Sequence, residues 1–437
     1  MDAVTASAPF QPSSPVIVHT TPHSKVQRVV SPCGIEAWLV EDYTVPLVAM
    51  EVCFRSGTAD DLENRAGTTH LLSQLLDEGA GDHDANAFQE ALEDRAIELS
   101  FSAGYHWFQG SLRTLVAHKD DAFKLMGLAL NAPRLDDEPI LRMKDLTLAG
   151  LKQDLTDPDQ VSMRAFMQQA FPNHAYAMPP KGVIESLSLI TRDDLRAAQA
   201  RILTRDQVMV AVVGAIDAKT LVSALDEMLG NLPQTHSRPP EKPVMMQGLG
   251  EIVISDLDVP NSTFSFAWPS MSHHDPDYHA VMLVNHILGE GSFTSRLWHE
   301  VREKRGLSYS VRTTLSKLRD CPLVMGYLST ANERASEAHD VIVSEIRKMA
   351  EHGPTQEELD AAKAFLIGSY GLKFDSSSKI ADELIDIAFD GRHIDYLESR
   401  EALINAVTLE QAQRVAKRLC GDGAFLLAVA GRPVGIK

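Results

Sequence analysis

The stretch Ile190–Gly214 lies over Val407–Gly431 without a gap. Thr191 meets Thr408, Arg201 meets Arg418, Ala211-Val212 meets Ala428-Val429, and Gly214 meets Gly431, with the apolar positions between them coinciding. Each copy reads as a capped amphipathic helix, a turn, a buried-type strand and a closing glycine. A second pair keeps the same order, Glu90–Ser100 over Glu300–Ser310. Chance likeness between amphipathic helices would not preserve helix, strand and glycine in sequence. A repeat this long, mixing helix and strand, means two copies of one α+β domain rather than a solenoid of short units. The expected fold is two duplicated domains, each an antiparallel β-sheet packed with helices.

Periodicity places strands at Val26–Val30, Gly34–Val40 and Val45–Phe54, antiparallel by their short connections. Helices follow at Ala66–Leu76 and at Asp84–Ala96, the second capped by Asp84. Next come strands Glu98–Ala103 and Trp107–Val116, helices Lys119–Asn131, Glu138–Leu155, Gln160–Phe171 and Arg192–Leu203, and the strand Gln207–Val213. Pro233, Pro239, Pro240 and Pro243 among polar residues mark a linker. After it the pattern restarts, through strands Glu251–Ser255, Ser262–Trp268 and Leu323–Ser329 to a last strand at Ala424–Ala430. The expected division is a disordered Ala/Ser/Pro-rich leader (1–24), a first domain (25–231), a linker (232–247) and a second domain (248–437).

A chain of 437 residues can bury two full cores. Its formal net charge of −19 argues against a nucleic-acid partner, because phosphate neutralisation needs clustered Lys and Arg. The charge permits a basic peptide or protein face as partner. No apolar run has the length of a transmembrane helix. The sequence shows neither the basic nor the apolar region of a signal peptide, so cytoplasm and periplasm both stay open. Cys33, Cys53, Cys321 and Cys420 are far apart and form no Cys-x-x-Cys, which excludes a zinc ribbon and disfavours a disulfide framework.

Two places could carry chemistry. On the first helix His70, Ser73, Gln74 and Asp77 share one face. A metal reading meets a chemical objection there: Ser73 and Gln74 are poor zinc ligands, and a neutral Gln is no general base. His70 then reads as a core or interface histidine. His273, His274 and His279 sit beside Asp275 and Asp277 in what reads as a solvated turn.

The second place is Leu288–Val311. Gly289 and Gly291 open it, Ser292 or Thr294 can cap the helix that follows, and Lys304, Arg305 and Gly306 close that helix. Leu307, Tyr309 and Val311 then alternate with polar residues as in a strand. A helix end folding back on its strand brings Arg302 and Tyr309 together. A guanidinium and a phenol can both donate to a carbonyl oxygen that is becoming an oxyanion. The plainer reading is an exposed helix charge and a packed strand tyrosine.

From Ser295 to Val311 the chain reads Ser-Arg-Leu-Trp-His-Glu-Val-Arg-Glu-Lys-Arg-Gly-Leu-Ser-Tyr-Ser-Val, which closely resembles the C-terminal-half motif of the M16 (pitrilysin-type) peptidases, specifically the bacterial M16B group. The likeness covers almost everything after about residue 25. It includes the duplication, Asp157-Pro158 before a helix, and Phe171-Pro-Asn-His-Ala-Tyr176. Relatives include the mitochondrial processing peptidase and the core subunits of the respiratory bc1 complex.

Active members of the family carry H-x-x-E-H on the first helix; two His and a later Glu bind zinc, and the motif Glu activates water. The matching residues here are His70, then Ser73 in place of the base and Gln74 in place of the second ligand. Near the third ligand stand Gly150 and Leu151, with Asp145 and Asp154 out of register. The resemblance therefore implies a chain with no metal or cofactor of its own. Arg302 and Tyr309 match the family's Arg/Tyr pair, which binds the substrate carbonyl. The implied role is the non-zinc subunit of a heterodimeric metallopeptidase, serving peptide hydrolysis at the zinc of an H-x-x-E-H partner. The alternative is a non-catalytic scaffold or peptide-binding subunit of the core-protein type.

Overall fold

The computed structural model of the chain describes residues 17–20, 25–235, 244–316 and 318–437. Most of the expected leader and the centre of the expected linker lie outside them. The strands are β1 (Ile17–Thr20), β2 (Val26–Val30), β3 (Glu36–Glu41), β4 (Leu47–Phe54), β5 (Glu98–Ala103), β6 (Phe108–Leu115), β7 (Val208–Gly214), β8 (Ile252–Ser255), β9 (Asn261–Pro269), β10 (Val311–Leu315), β11 (Leu323–Ala331) and β12 (Leu426–Ala430). One sheet has the order β1-β2-β3-β7-β4-β6-β5, the other β10-β11-β9-β12-β8.

Five strands of each sheet correspond one to one: β3-β7-β4-β6-β5 with β8-β12-β9-β11-β10. β7 pairs in parallel with β3 and antiparallel with β4; β12 does the same with β8 and β9. The duplication is thus one of topology as well as sequence. β3 and β4, consecutive in the chain and antiparallel, are separated by β7. The reason lies in β7 itself, whose Val210–Val213 run is apolar on both faces and is fully covered only in a central place. A further departure is β1, which falls inside the expected leader and pairs antiparallel with β2.

Each sheet lays one face on helices of its own half, over cores that include Phe54, Leu72 and Phe108 in the first and Phe266, Leu297 and Ile342 in the second. The far face is covered by a helix from the other half. Helix Pro158–Ala170 sets Phe166, Met167 and Ala170 against Ala267, Leu323 and Leu426 of the second sheet. Helix Ser377–Phe389 sets Ala381, Leu384 and Ile385 against Cys53, Ala211 and Val213 of the first. Asp157 starts the first of these helices by accepting from the N–H groups of Asp159 and Gln160, with Pro158 in the turn that needs no donor. After it, Phe171 and Tyr176 are buried at the same junction: they meet edge to face at 5.1 Å, and the Tyr176 hydroxyl reaches the Asp320 carboxylate of the second half at 3.3 Å.

Glu51, on β4 beneath the Ser377–Phe389 helix, is buried and accepts from Ser111 Oγ (2.5 Å) and Gln109 Nε2 (2.9 Å). Burial, with a further push from the Asp382 charge, raises its carboxyl from the ordinary 4.5 to about 7. The folded chain therefore holds a proton that the unfolded chain has already lost, and stability falls as pH rises from about 4.5 to about 7. Glu51→Gln should remove that slope and raise stability above pH 7 by roughly 1–3 kcal/mol. Urea unfolding of both proteins at pH 5 and pH 8 measures this; an equal offset at the two pH values would refute it.

Candidate functional site

The first-half position is built around Asp61. Its buried carboxylate accepts from Gly67 N (3.1 Å), Thr69 N (3.1 Å) and Thr69 Oγ1 (2.6 Å), and pairs with Arg201 at 3.2 Å. It thereby starts a helix at Thr68. Gly67 is left-handed (φ +94), and a Cβ there would lie 2.5 Å from the Lys181 carbonyl oxygen. The helix ends at Ser73, well short of the expected Leu76, and continues as turns. Ser73 spends its hydroxyl on the His70 carbonyl (2.7 Å), and Gln74 Oε1 accepts from Thr147 of the facing helix Asp137–Asp154 (3.0 Å). Thr147 and Leu151, one turn apart, are buried; Asp145 is exposed and Asp154 pairs with Lys181 at 3.3 Å. Burial, aided by the Lys181 charge, holds the His70 imidazole down at about 4, so it is neutral at physiological pH. A hydroxyl, an amide and one imidazole beside an ammonium do not fit zinc. No group of three His, Cys, Asp or Glu placed to hold a metal occurs among the described residues.

The second-half position starts at Ser295, whose hydroxyl accepts from Trp298 N. Ser295 is the cap where Ser292 or Thr294 was expected; Ser292 instead takes φ +46 at the tip of the preceding loop. One α-turn, Arg296–Trp298, passes into a π-helical turn, His299–Glu303. Such widened turns recur at functional sites because they re-aim side chains within a helix. Gly306 (φ +58) closes the helix as expected, its N–H on the Arg302 carbonyl (2.9 Å) and that of Leu307 on Val301 (2.8 Å). The strand expected from Leu307 begins only at Val311. Between them the Ser308 hydroxyl donates to the carbonyl oxygens of Ser310 (2.8 Å) and Ser329 (2.6 Å), and Leu307 is buried. Anchored on both sides, Tyr309 projects outward and is 81% exposed.

Arg302 and Tyr309 do meet. The guanidinium lies over the Tyr309 ring at 4.2 Å, and within 5.3 Å of Trp298 and 5.9 Å of Phe293, which is itself 69% exposed. Phe293 and Trp298 meet edge to face at 5.1 Å. Stacking engages the faces of a guanidinium and leaves its N–H edges available. The other cations of this helix are neutralised: Arg296 by Glu358 at 2.6 Å, Lys304 and Arg305 by Glu300 at 2.6 and 2.5 Å. Arg302 has no carboxylate among the described residues. The arrangement can donate several hydrogen bonds to one acceptor. Phe293 and Trp298 were not singled out from the sequence, although Trp298 and Arg302 at i and i+4 signal a shared helix face.

Among the described residues the fold therefore offers a stacked Arg/Tyr pair in its second half and no zinc-ligand set in its first. Residues 189–366 match the family profile described as Peptidase M16 inactive domain. The chain is 26% identical over 403 residues to the non-peptidase homolog YmxG of Helicobacter pylori, covering 92% of this chain and 90% of that protein. It is 22% identical over 407 residues to the uncharacterized zinc protease YmxG of Bacillus subtilis, covering 93% and 98%. The crystal structure of a peptidase M16 inactive domain from Pseudomonas fluorescens superposes with a TM-score of 0.88 at 26% identity, covering 94% of this chain and 99% of that one. Over nearly its whole length the chain is thus similar to M16 (pitrilysin-type) peptidases and to their inactive homologues. Among the described residues no helix is long and apolar enough to cross a membrane.

Proposed function

We propose that this chain is the non-zinc subunit of a heterodimeric M16 peptidase, presenting Arg302 and Tyr309 to the carbonyl of a peptide that is cleaved at the zinc of an H-x-x-E-H partner. The observation that carries the reading is the stacked, uncompensated Arg302 beside an exposed Tyr309. The other cations of the same helix are paired with carboxylates, which sets Arg302 apart from its neighbours. The first-half residues supply neither base nor second ligand, so hydrolysis is assigned to the partner's residues and the zinc is expected there. The same positions of the first half, by the internal alignment, are Leu92 and Leu99, both buried. The fold thus accepts apolar residues at this place, and the polar pair needs a reason beyond folding.

The test is reconstitution. The purified chain, an M16 subunit with the full H-x-x-E-H, and their mixture are assayed for cleavage of a quenched fluorescent peptide, with size-exclusion chromatography to follow assembly. The chain alone should cleave nothing, and the mixture should form a complex that cleaves faster than the partner alone. A complex that assembles with no gain in cleavage would favour the scaffold role instead.

A further inference from the structure

A groove of about 630 Å³ runs beside Tyr309, lined among others by Asp159, Thr263, Ser310, Arg312, Tyr327 and Ser329. Its floor is the far face of the second sheet where the Pro158–Ala170 helix no longer covers it. Under that helix the outward residues are mostly apolar, Ala267, Leu323 and Leu426 among them, with Ser265 hydrogen-bonded to Ser162 of the helix at 2.8 Å. Past its first turn they become Thr263, Tyr327 and Ser329. Arg312, on β10, stands opposite Tyr327 in register, its guanidinium 5.6 Å over that ring. It is exposed and has no carboxylate partner among the described residues. The groove and the neighbouring cage thus hold two uncompensated guanidinium groups, Arg302 and Arg312, against one lining carboxylate, Asp159. The local balance is cationic in a chain whose net charge is −19.

We propose that this groove is a carboxylate subsite, with Arg312 as the residue that recognises an acidic side chain or the free C-terminus of the bound peptide. The proposal rests on the reading of Arg302 and Tyr309 as the place where the peptide backbone is held. A planar guanidinium pinned on an aromatic ring presents two parallel N–H donors, the geometry that a carboxylate matches. The surrounding hydroxyls can serve its remaining lone pairs. Arg312 touches no zinc-site residue and lies on the surface, so its replacement leaves the fold intact.

The test uses the full chain alone and fluorescence anisotropy at low salt. One labelled, otherwise neutral and C-terminally amidated peptide is scanned with Glu, Gln or Lys at each position; a second version keeps Gln throughout and carries a free C-terminus. Glu at one position, or the free C-terminus, should tighten binding about fivefold over the neutral amide, and which of the two does so identifies the source of the carboxylate. Arg312→Gln should abolish the difference and Arg312→Glu should shift the preference to Lys. Equal binding of all peptides, no binding of any, or a wild-type preference for Lys that Asp159→Asn removes would overturn the proposal. Arg302→Gln separates the two readings. Binding that depends on Arg302 but ignores peptide charge removes the subsite and leaves the pair. A charge preference that survives with binding unaffected by Arg302→Gln supports the subsite and removes the pair.

Discussion

On the proposed reading, Arg302→Ala should lower kcat/KM of the complex reconstituted with an H-x-x-E-H subunit about 10²–10³-fold, the usual cost of losing one well-placed oxyanion donor. The fold should barely register the change, because Arg302 makes no ion pair among the described residues and gives up only half-buried stacking, roughly 0.5–1 kcal/mol. Arg302→Lys should not rescue: an ammonium is a point charge on a flexible stem and cannot keep a planar fork pinned on three rings. Tyr309→Phe keeps the ring under the guanidinium and removes the hydroxyl alone, so its loss of turnover isolates the second donor from the platform. Steady-state kinetics with thermal melting and size-exclusion controls decide the matter. Unchanged kcat/KM in Arg302→Ala would remove the pair from the reaction.

Phe166→Ala should destabilise the chain by roughly 3–5 kcal/mol, the range for emptying a fully buried aromatic site. Phe166 belongs to the first half by sequence, yet it packs in a core with Leu323, Met325 and Leu426 of the second. Leu384→Ala, the reciprocal change on the Ser377–Phe389 helix, should cost roughly 2–5 kcal/mol. Because each helix roofs the other half's sheet, both substitutions should lower one shared urea transition. Two separable transitions, with only one moved by each substitution, would show that the halves are energetically independent.

The duplicated fold was legible because each half ends on a helix, a strand and a glycine in fixed order, and a local pattern repeated at long range is hard to mimic. Strand order was not: the insertion of β7 between β3 and β4 is a tertiary choice, visible only as the two-sided apolar run Val210–Val213. Helices Ala218–Leu229 and Tyr396–Asn405 were not anticipated, although Asp217 caps the first by accepting from Thr220 N. At the site, Arg302 and Tyr309 could be read from their motif. The cage could not, because Phe293 reaches it through a loop with Ser292 at positive φ. Net charge misled about the local field, since Glu300 and Glu358 silence the cations around Arg302 and leave that one without a carboxylate among the described residues.

The exchange of helices between the halves has a consequence for how the protein is made. β7 completes the first sheet at Gly214, but the helix that covers its far face ends at Phe389. A ribosome adding about 5–20 residues per second leaves Cys53, Ala211 and Val213 bare for roughly 10–35 s after their sheet is complete. During translation the nascent first half therefore displays an apolar surface for which its own roof has not yet been synthesised, and faster elongation shortens that exposure.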